Sequence, residues 1–127
     1  MKLNFILFCD KAELITKGGK TNLFGVFDTI YADRFPAIHE KMTIAVNIDK
    51  ESGKHREFFL IKKDGSVVGK GEVLEFNGEK PRHQFLHTVS DIPLPKEGMY
   101  EVEIYIDDQL VGSASFFAQL TPSGYVT

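Results

Sequence analysis

His83 and His87 are the side chains whose types and spacing come closest to a chemical site. Residues 83–90 are predicted to form a strand, so both imidazoles would point to one face with Phe85 between them. Two such histidines could bind Zn²⁺ if a carboxylate or His39 joined them. Residues four apart on a strand are separated by about 13 Å, however, so one ion could not contact both directly. We therefore expect two solvated histidines on an outer sheet face. The alternative is a small-ligand or metal site formed by His83, His87 and nearby carboxylates.

Two further motifs resemble the beginnings or ends of known ligand loops. Gly19-Lys20-Thr21 ends like a phosphate-binding loop, but Leu14 stands where that loop needs its first glycine, and a strand follows where it needs a helix. Asp49 and Glu51 begin like a calcium loop, whose closing glutamate would fall near Leu60 in an apolar strand. Both stretches therefore predict turns.

Nucleophilic chemistry has little support in the sequence. There is no Gly-x-Ser-x-Gly motif and no recognisable Ser/His/Asp set. Cys9 is the only cysteine, which excludes an intrachain disulfide and a cysteine-based metal cluster. It lies in an apolar run, where a buried and inert thiol is expected. The sequence predicts a protein that is not an enzyme, with no catalytic residue, metal site or cofactor.

The segment from Asp28 to His39 is the other polar region of interest. Asp28 interrupts an otherwise apolar strand, so its carboxylate is expected to have a partner, with Arg34 or Lys11 as candidates. A structural ion pair or backbone cap is the simpler interpretation. The functional alternative is a polar patch on which Tyr31, Arg34 and His39 contact a partner.

Composition narrows the class of protein and of partner. The 127 residues suit one domain, 1–127, and the net charge of −3 argues against a nucleic-acid partner. No run approaches the ~20 apolar residues of a membrane span, which favours a soluble, cytoplasmic protein without a membrane partner. Eleven phenylalanines and no tryptophan predict rings that fill a core and argue against a sugar-binding platform.

The hydrophobic pattern predicts an all-β fold. Residues 41–49 alternate clearly: Met42, Ile44, Val46 and Ile48 are expected to point inward, and Thr43, Ala45, Asn47 and Asp49 outward. Turn signals recur every 8 to 15 residues, and no long segment has a helical period. The predicted strands are 1–9, 10–16, 22–31, 41–49, 55–63, 66–76 (an edge strand), 83–90, 99–106 and 110–117. Eight or nine short strands indicate an antiparallel sandwich.

The closing hairpin, residues 94–120, gives the most specific fold signal. Gly98-x-Tyr100 has the form of the tyrosine corner of immunoglobulin-like sandwiches, so the Tyr100 hydroxyl should bond to backbone near Pro95. Glu103 and Tyr105 are expected to point outward, where they could contact a partner. Because the hairpin is the last element, one of its strands could border the sheet.

Several stretches together resemble a known family. They are Phe8-Cys9-Asp10-Lys11-Ala12, the run Gly19-Lys20-Thr21-Asn22-Leu23-Phe24-Gly25-Val26-Phe27-Asp28, Arg34-Phe35-Pro36-Ala37-Ile38-His39, and Leu94-Pro95-x-x-Gly98-x-Tyr100. They are similar to an uncharacterised family of small stand-alone bacterial proteins, classed as a domain of unknown function. The resemblance implies an immunoglobulin-like β-sandwich and brings no catalytic or binding residues.

Two functional hypotheses follow. The first is a non-enzymatic interaction or structural module that binds a protein partner or a second copy of itself. Its candidate contact residues are Asp28, Tyr31, Arg34, His39, Glu103 and Tyr105. The second is a small-ligand or metal-binding protein that uses His83 and His87. The first is favoured because the chain lacks a recognisable catalytic set.

Overall fold

The computed structural model describes residues 1–15 and 18–122 as ten strands, and these residues contain no helix, so none that could cross a membrane. Thr16 and Lys17, assigned from the sequence to a strand and a turn, lie outside the described residues. The strands are β1 (Lys2–Ile15), β2 (Lys20–Phe27), β3 (Thr29–Ala32), β4 (Ala37–Asp49), β5 (Gly53–Lys63), β6 (Ser66–Lys70), β7 (Leu74–Gly78), β8 (Arg82–Leu94), β9 (Gly98–Ile106) and β10 (Gln109–Leu120).

The strands form two sheets that enclose one core, which confirms the predicted all-β sandwich. The first sheet has the order β2-β1-β4-β8, and the second has the order β3-β10-β9-β5-β6. β7 also pairs with β5, so β6 and β7 follow one another along the same edge. Every pair is antiparallel except β3 with β10, which is parallel.

The first strand is longer than expected. Residues 1–9 and 10–16 were predicted as two strands, but β1 is continuous, because its first half pairs with β4 and its second half with β2. Gly25 in β2 has a φ of 65°, and a Cβ there would collide with the Asp10 carboxylate. The absence of a side chain at Gly25 therefore lets the β2 backbone approach Asp10 closely.

Two predicted strands are each divided in the structure. Residues 22–31 change sheets at Asp28, where β2 ends in the first sheet and β3 begins in the second. Residues 66–76 break at residues 71–73, between β6 and β7. The Gly71 amide nevertheless donates a hydrogen bond to the Phe59 carbonyl oxygen at 3.0 Å. The predicted edge position of this segment is confirmed.

β4 forms the centre of the first sheet and is covered on both faces. Met42, Ile44, Val46 and Ile48 point inward and are fully buried, as predicted. Thr43 and Ala45 lie on the opposite, outward side of the strand as predicted, yet they are only 3% and 1% exposed. Ala45 lies between its register partners Leu7 and Leu86, and these larger side chains cover it.

The closing hairpin, β9 and β10, contains the predicted corner. Tyr100 is fully buried, and its hydroxyl donates to the Lys96 carbonyl oxygen at 2.5 Å, one residue after Pro95. Its ring stacks on Phe116 at 5.4 Å. β3 pairs only with residues 117–120 of β10, so residues 109–116 pair with β9 alone and border the sheet, as expected for one strand of the hairpin.

Candidate functional site

His83 and His87 point into the sandwich, which corrects the predicted solvated outer face. Their register partners on β4 are the fully buried Ile48 and Ile44. Phe85 lies opposite the equally buried Val46. Residues directly opposite in an antiparallel pair share a face, so the two histidines belong to the core side of β8.

His87 forms a buried polar pair with Glu57 across the two sheets. Its Nε2 lies 2.7 Å from Glu57 Oε2, and the side chains are 9% and 0% exposed. His87 comes from β8 at the edge of the first sheet, and Glu57 from β5 of the second. The sequence analysis missed Glu57, which shares its strand face with His55 and Phe59.

Aromatic rings hold the two histidines in place. The His87 ring lies 4.9 Å from Phe59 and 5.8 Å from Phe85, while His83 stacks on Phe76 at 4.8 Å. Burial lowers the pKa of His83, and the nearby Lys50 ammonium acts in the same direction. The rings therefore help to bury His83, which disfavours its charged form, and they fix the orientation of His87.

The pair retains unused hydrogen-bonding capacity beside a cavity. Glu57 Oε1 is buried without a hydrogen-bond partner. His87 bonds to Glu57 through Nε2, and its Nδ1 has no hydrogen-bond partner among the described residues. His87 lines a cavity of about 470 Å³ between β8 and the break at residues 71–73.

The structure does not gather the predicted metal ligands. Within the described residues, no group of three or more His, Cys, Asp or Glu side chains is arranged to hold a metal ion. His39 lies near the other end of β4, with its ring 6.0 Å from Phe27. Of the alternative site, only His87 and one carboxylate come together.

A second carboxylate cluster lies on the outer face of the second sheet. Glu103 Oε1 is 2.8 Å from Lys62 Nζ and accepts a hydrogen bond of 2.9 Å from the Tyr105 hydroxyl. These bonds, that from Lys62 above all, lower the pKa of Glu103, and the Glu103 carboxylate raises the pKa of both Lys62 and Tyr105. Glu103 and Tyr105 face outward as predicted, although Glu103 is only 8% exposed.

Apolar and aromatic side chains surround this outer cluster. Phe58 and Tyr105 stack at 5.0 Å with an interplanar angle of 5°, and Lys70 Nζ lies over the Phe58 ring at 5.4 Å. By register and alternation, four exposed side chains share this face: Tyr31 (45% exposed), Met99 (50%), Leu110 (54%) and Phe117 (42%). We call this surface the outer face of the second sheet. It brings together three predicted contact residues, namely Tyr31, Glu103 and Tyr105.

The remaining predicted contact residues lie elsewhere. Asp28 is exposed at the bend between β2 and β3, and its Oδ1 accepts a hydrogen bond of 2.9 Å from Thr29. Arg34 is exposed in the connection before β4. His39 is half-buried, with Nε2 buried and unpartnered, and burial lowers its pKa. Tyr31 and His39 belong to different sheets, so these residues do not form one continuous strand face.

His55 and the Asp107-Asp108 turn form a structural cluster at the end of the hairpin. His55 Nδ1 lies 2.7 Å from Asp107 Oδ2, and its Nε2 lies 2.8 Å from the Glu51 carbonyl oxygen. The bond to Asp107 raises the pKa of His55 and lowers that of Asp107. Arg56 pairs with Asp108 at 2.9 Å. Both aspartates of this turn thus have a side-chain partner, Asp107 in His55 and Asp108 in Arg56.

The remaining motifs have structural roles. Cys9 is a fully buried free thiol, as expected, with Sγ 3.7 Å from the Thr43 carbonyl oxygen, and burial raises its pKa. Gly18 and Gly19 form a turn with positive φ, and β2 follows directly at Lys20. This is the predicted hairpin turn.

Comparison with protein families gives one match. Residues 4–119 match a family of unknown function, DUF6941. The chain belongs to this family. The match covers nearly all of both sheets and fits the resemblance noted from the sequence. No protein in a curated set matches the chain.

Proposed function

We propose that this member of DUF6941 is a non-enzymatic interaction module that binds a protein partner or a second copy of itself through the outer face of the second sheet. The observation that carries the proposal is the group of exposed side chains on that face, Tyr31, Met99, Leu110 and Phe117. Met99 and Phe117 are register partners, and adjacent apolar exposure of this kind is typical of association surfaces, whereas single exposed apolar residues are ordinary.

The aromatic stack on this face suits a contact surface. Tyr105 is held by Phe58 on one side and by the hydrogen bond to Glu103 on the other. A side chain that is already ordered loses little conformational entropy on binding, and tyrosine is among the residues enriched at interface hot spots. Lys62 and Glu103 neutralise each other, so the face suits an apolar and aromatic partner surface better than a strongly charged one.

We further propose an immunoglobulin-like topology. In such domains strands A, B and E form one sheet, strands C, F and G the other, and a tyrosine corner marks strand F. The neighbours β1-β4-β8 and β5-β9-β10 have the same connectivity, with Tyr100 on β9. A bacterial, cytoplasmic location is part of the proposal. It is supported by the resemblance to small stand-alone bacterial proteins.

Self-association is tested by sedimentation velocity over a wide concentration range. Met99→Glu places a charge on the outer face of the second sheet and should weaken any dimer by tenfold or more, because an unpaired charge would be buried. Ile38→Glu is the matched control, since Ile38 is 69% exposed on the first sheet. Equal effects of the two variants would contradict the proposal.

A different protein partner is tested by photo-crosslinking in the cells that make the protein. A photoreactive phenylalanine at position 99 should give a discrete crosslinked species, and one at position 38 should not. Tyr105→Phe and Met99→Glu should weaken that crosslink. A strictly monomeric protein without a crosslink specific to position 99 would rule out this face.

A further inference from the structure

We propose that the cavity between β8 and the β6–β7 break binds a small molecule that donates a hydrogen bond from a hydroxyl group, of phenol or alcohol type, to His87 Nδ1. The apolar body of this ligand would lie against Phe59, Leu74 and Leu86. This inference goes beyond the proposed function, because none of these residues belongs to the outer face of the second sheet.

The Glu57–His87 pair determines what the cavity can recognise. With the Glu57 carboxylate as the acceptor, the hydrogen between Oε2 and Nε2, 2.7 Å apart, is carried by the imidazole. A neutral imidazole protonated at Nε2 has a lone pair at Nδ1. His87 lines the cavity, and a ligand there that donates a hydrogen bond would pair with this lone pair. The carboxylate thus fixes the tautomer in the same way that it does for catalytic and metal-bound histidines.

Charge near the cavity favours a neutral donor over an anion. Glu57 is fully buried with Oε1 unpartnered, and Glu72 also lines the opening. Lys70 belongs to the lining as well, but its ammonium lies over the Phe58 ring on the outer face. A carboxylate ligand would meet more negative than positive charge here, whereas a hydroxyl group brings no charge to desolvate.

The cavity has the size of a small-molecule site, and both polar and apolar side chains line it. Its volume of about 470 Å³ falls within the range of ligand pockets. Phe59, Leu74, Leu86 and Val89 supply the apolar lining. The aromatic contacts of His87 with Phe59 and Phe85 fix its ring before any ligand binds.

The strand break that opens the cavity is held by specific packing. Gly71 lies so close to Phe59 that a Cβ there would collide with the ring. Its amide also donates to the Phe59 carbonyl oxygen at 3.0 Å. The chain between β6 and β7 is thus fixed against β5 and leaves a defined opening above His87.

The test is an NMR titration of the full-length protein with three ring compounds of similar shape. Phenol offers a donor, benzoate an anionic acceptor and toluene no polar group. Phenol should shift the signals of the His87 ring and Phe59 and bind about fivefold more tightly than toluene, the effect of one net hydrogen bond. Benzoate should bind most weakly. Equal binding of phenol and toluene, or tighter binding of benzoate, would overturn the proposal.

A second experiment assigns the preference to His87. In the double variant Glu57→Leu with His87→Phe, the preference for phenol over toluene should disappear. This preference is the ratio of the two dissociation constants, so a general loss of affinity in the altered cavity cancels out. His83→Phe is the matched control and should keep the preference, because His83 shares the strand face but does not line the cavity. Retention of the preference in the double variant would contradict the assignment. Met99→Glu should leave it unchanged, which separates this test from that of the proposed function.

Discussion

Glu57 and Glu103 lie on adjacent strands of one sheet but on opposite faces, and they differ in how completely they are bonded. Both are nearly inaccessible, at 0% and 8% exposure. Glu103 Oε1 has both a lysine and a tyrosine hydroxyl as partners, whereas Glu57 has one histidine and an unpartnered oxygen. The outer carboxylate thus has two partners in one network, while the inner one has one partner and an unpartnered oxygen near a cavity.

This difference indicates two kinds of role. A satisfied network at a surface orders the side chains around it and contributes modestly to stability. A buried carboxylate bonded to one imidazole contributes little net stability, because desolvation offsets the attraction of the pair, but the loss of either partner is penalised strongly. The inner pair therefore suits a site whose geometry must be fixed, and the outer cluster suits a rigid contact surface.

The largest expected effect is at the inner pair. His87→Phe alone should destabilise the fold by about 3 to 5 kcal/mol, since it leaves the Glu57 carboxylate buried without a partner. Glu57→Leu alone should also destabilise, because the imidazole loses its acceptor. The double variant should return close to the wild-type free energy of unfolding. Urea unfolding at pH 7 gives the free energy of unfolding of the wild type, the two single variants and the double variant. If the loss in the double variant equals the sum of the two single losses, the pairing is contradicted.

The outer cluster should respond more weakly. Glu103→Gln should cost about 1 kcal/mol, because the Lys62–Glu103 pair is partly solvated and can be replaced by water. The same urea experiment measures it, with Glu101→Gln as the neighbouring control on the same strand face. A loss as large as that of His87→Phe would remove the distinction between the two regions.

Acid sensitivity should separate the regions by pH window. The pKa of Glu103 is lowered in the folded protein from an ordinary value of 4.5, so the unfolded chain takes up the proton first as pH falls. Its contribution is complete above pH 4.5 and is lost below it. Unfolding curves of Glu103→Gln and wild type should therefore converge below pH 4.5. If the difference in free energy of unfolding between wild type and Glu103→Gln stayed constant down to low pH, the stabilisation would not come from the ionised Glu103 carboxylate.

His83, in the inner region, should change the pH dependence of stability at higher pH than Glu103 does. Burial lowers its pKa below the ordinary 6.5, so the unfolded state binds a proton more readily, and stability falls as pH drops below 6.5. His83→Phe should lose less stability than wild type between pH 7 and pH 5. His55 works in the opposite direction because Asp107 raises its pKa, so His55→Gln serves as a control of opposite sign.

Tyr105→Phe should have the smallest effect. It removes only the hydroxyl that donates to Glu103 and keeps the ring stacked on Phe58. The melting temperature of Tyr105→Phe should fall less than that of Glu103→Gln. The yield of the crosslink at position 99 should nevertheless decrease under conditions in which Tyr105→Phe remains folded. If the melting temperature of Tyr105→Phe fell further than that of Glu103→Gln, the Tyr105 hydroxyl would stabilise the cluster more than the Glu103 carboxylate does, and the expected order would be wrong.

The sequence was sufficient where one pattern had one interpretation. The alternation at Met42, Ile44, Val46 and Ile48 located a core strand, because only one side of that segment is uniformly large and apolar. The Gly98-x-Tyr100 motif located a buried hydroxyl bond to within one residue, because the corner depends on local backbone geometry. Both features are set by residues close together in the chain.

The faces of β8 could not be assigned from sequence in the same way. Residues 83–88 have one large apolar residue on each side, Phe85 among histidines and Leu86 between Gln84 and Thr88. Alternation therefore gave no preference, and polarity suggested that the histidines were outside. Glu57 is the hydrogen-bond partner that offsets the cost of burying His87. It lies 30 residues away in the sequence, on the other sheet.

The change of sheet at Asp28 was also invisible to local pattern. The run from Asn22 to Tyr31 is uniformly strand-like, and a single exposed residue redirects it. What decides the split is the pairing of β3 with β10, a contact between residues almost 90 positions apart, so no short window contains it. Tyr31 consequently reaches the outer face of the second sheet, while Asp28 and His39 do not share that strand face.

The protonation of the His87 ring tests the central claim most directly. Long-range proton–nitrogen spectra of uniformly ¹⁵N-labelled protein at pH 7.5 should show His87 protonated at Nε2 and unprotonated at Nδ1, and phenol should change the Nδ1 shift selectively. A ring protonated at Nδ1, or a Nδ1 signal insensitive to phenol, would contradict an inner carboxylate that orients a histidine toward a ligand.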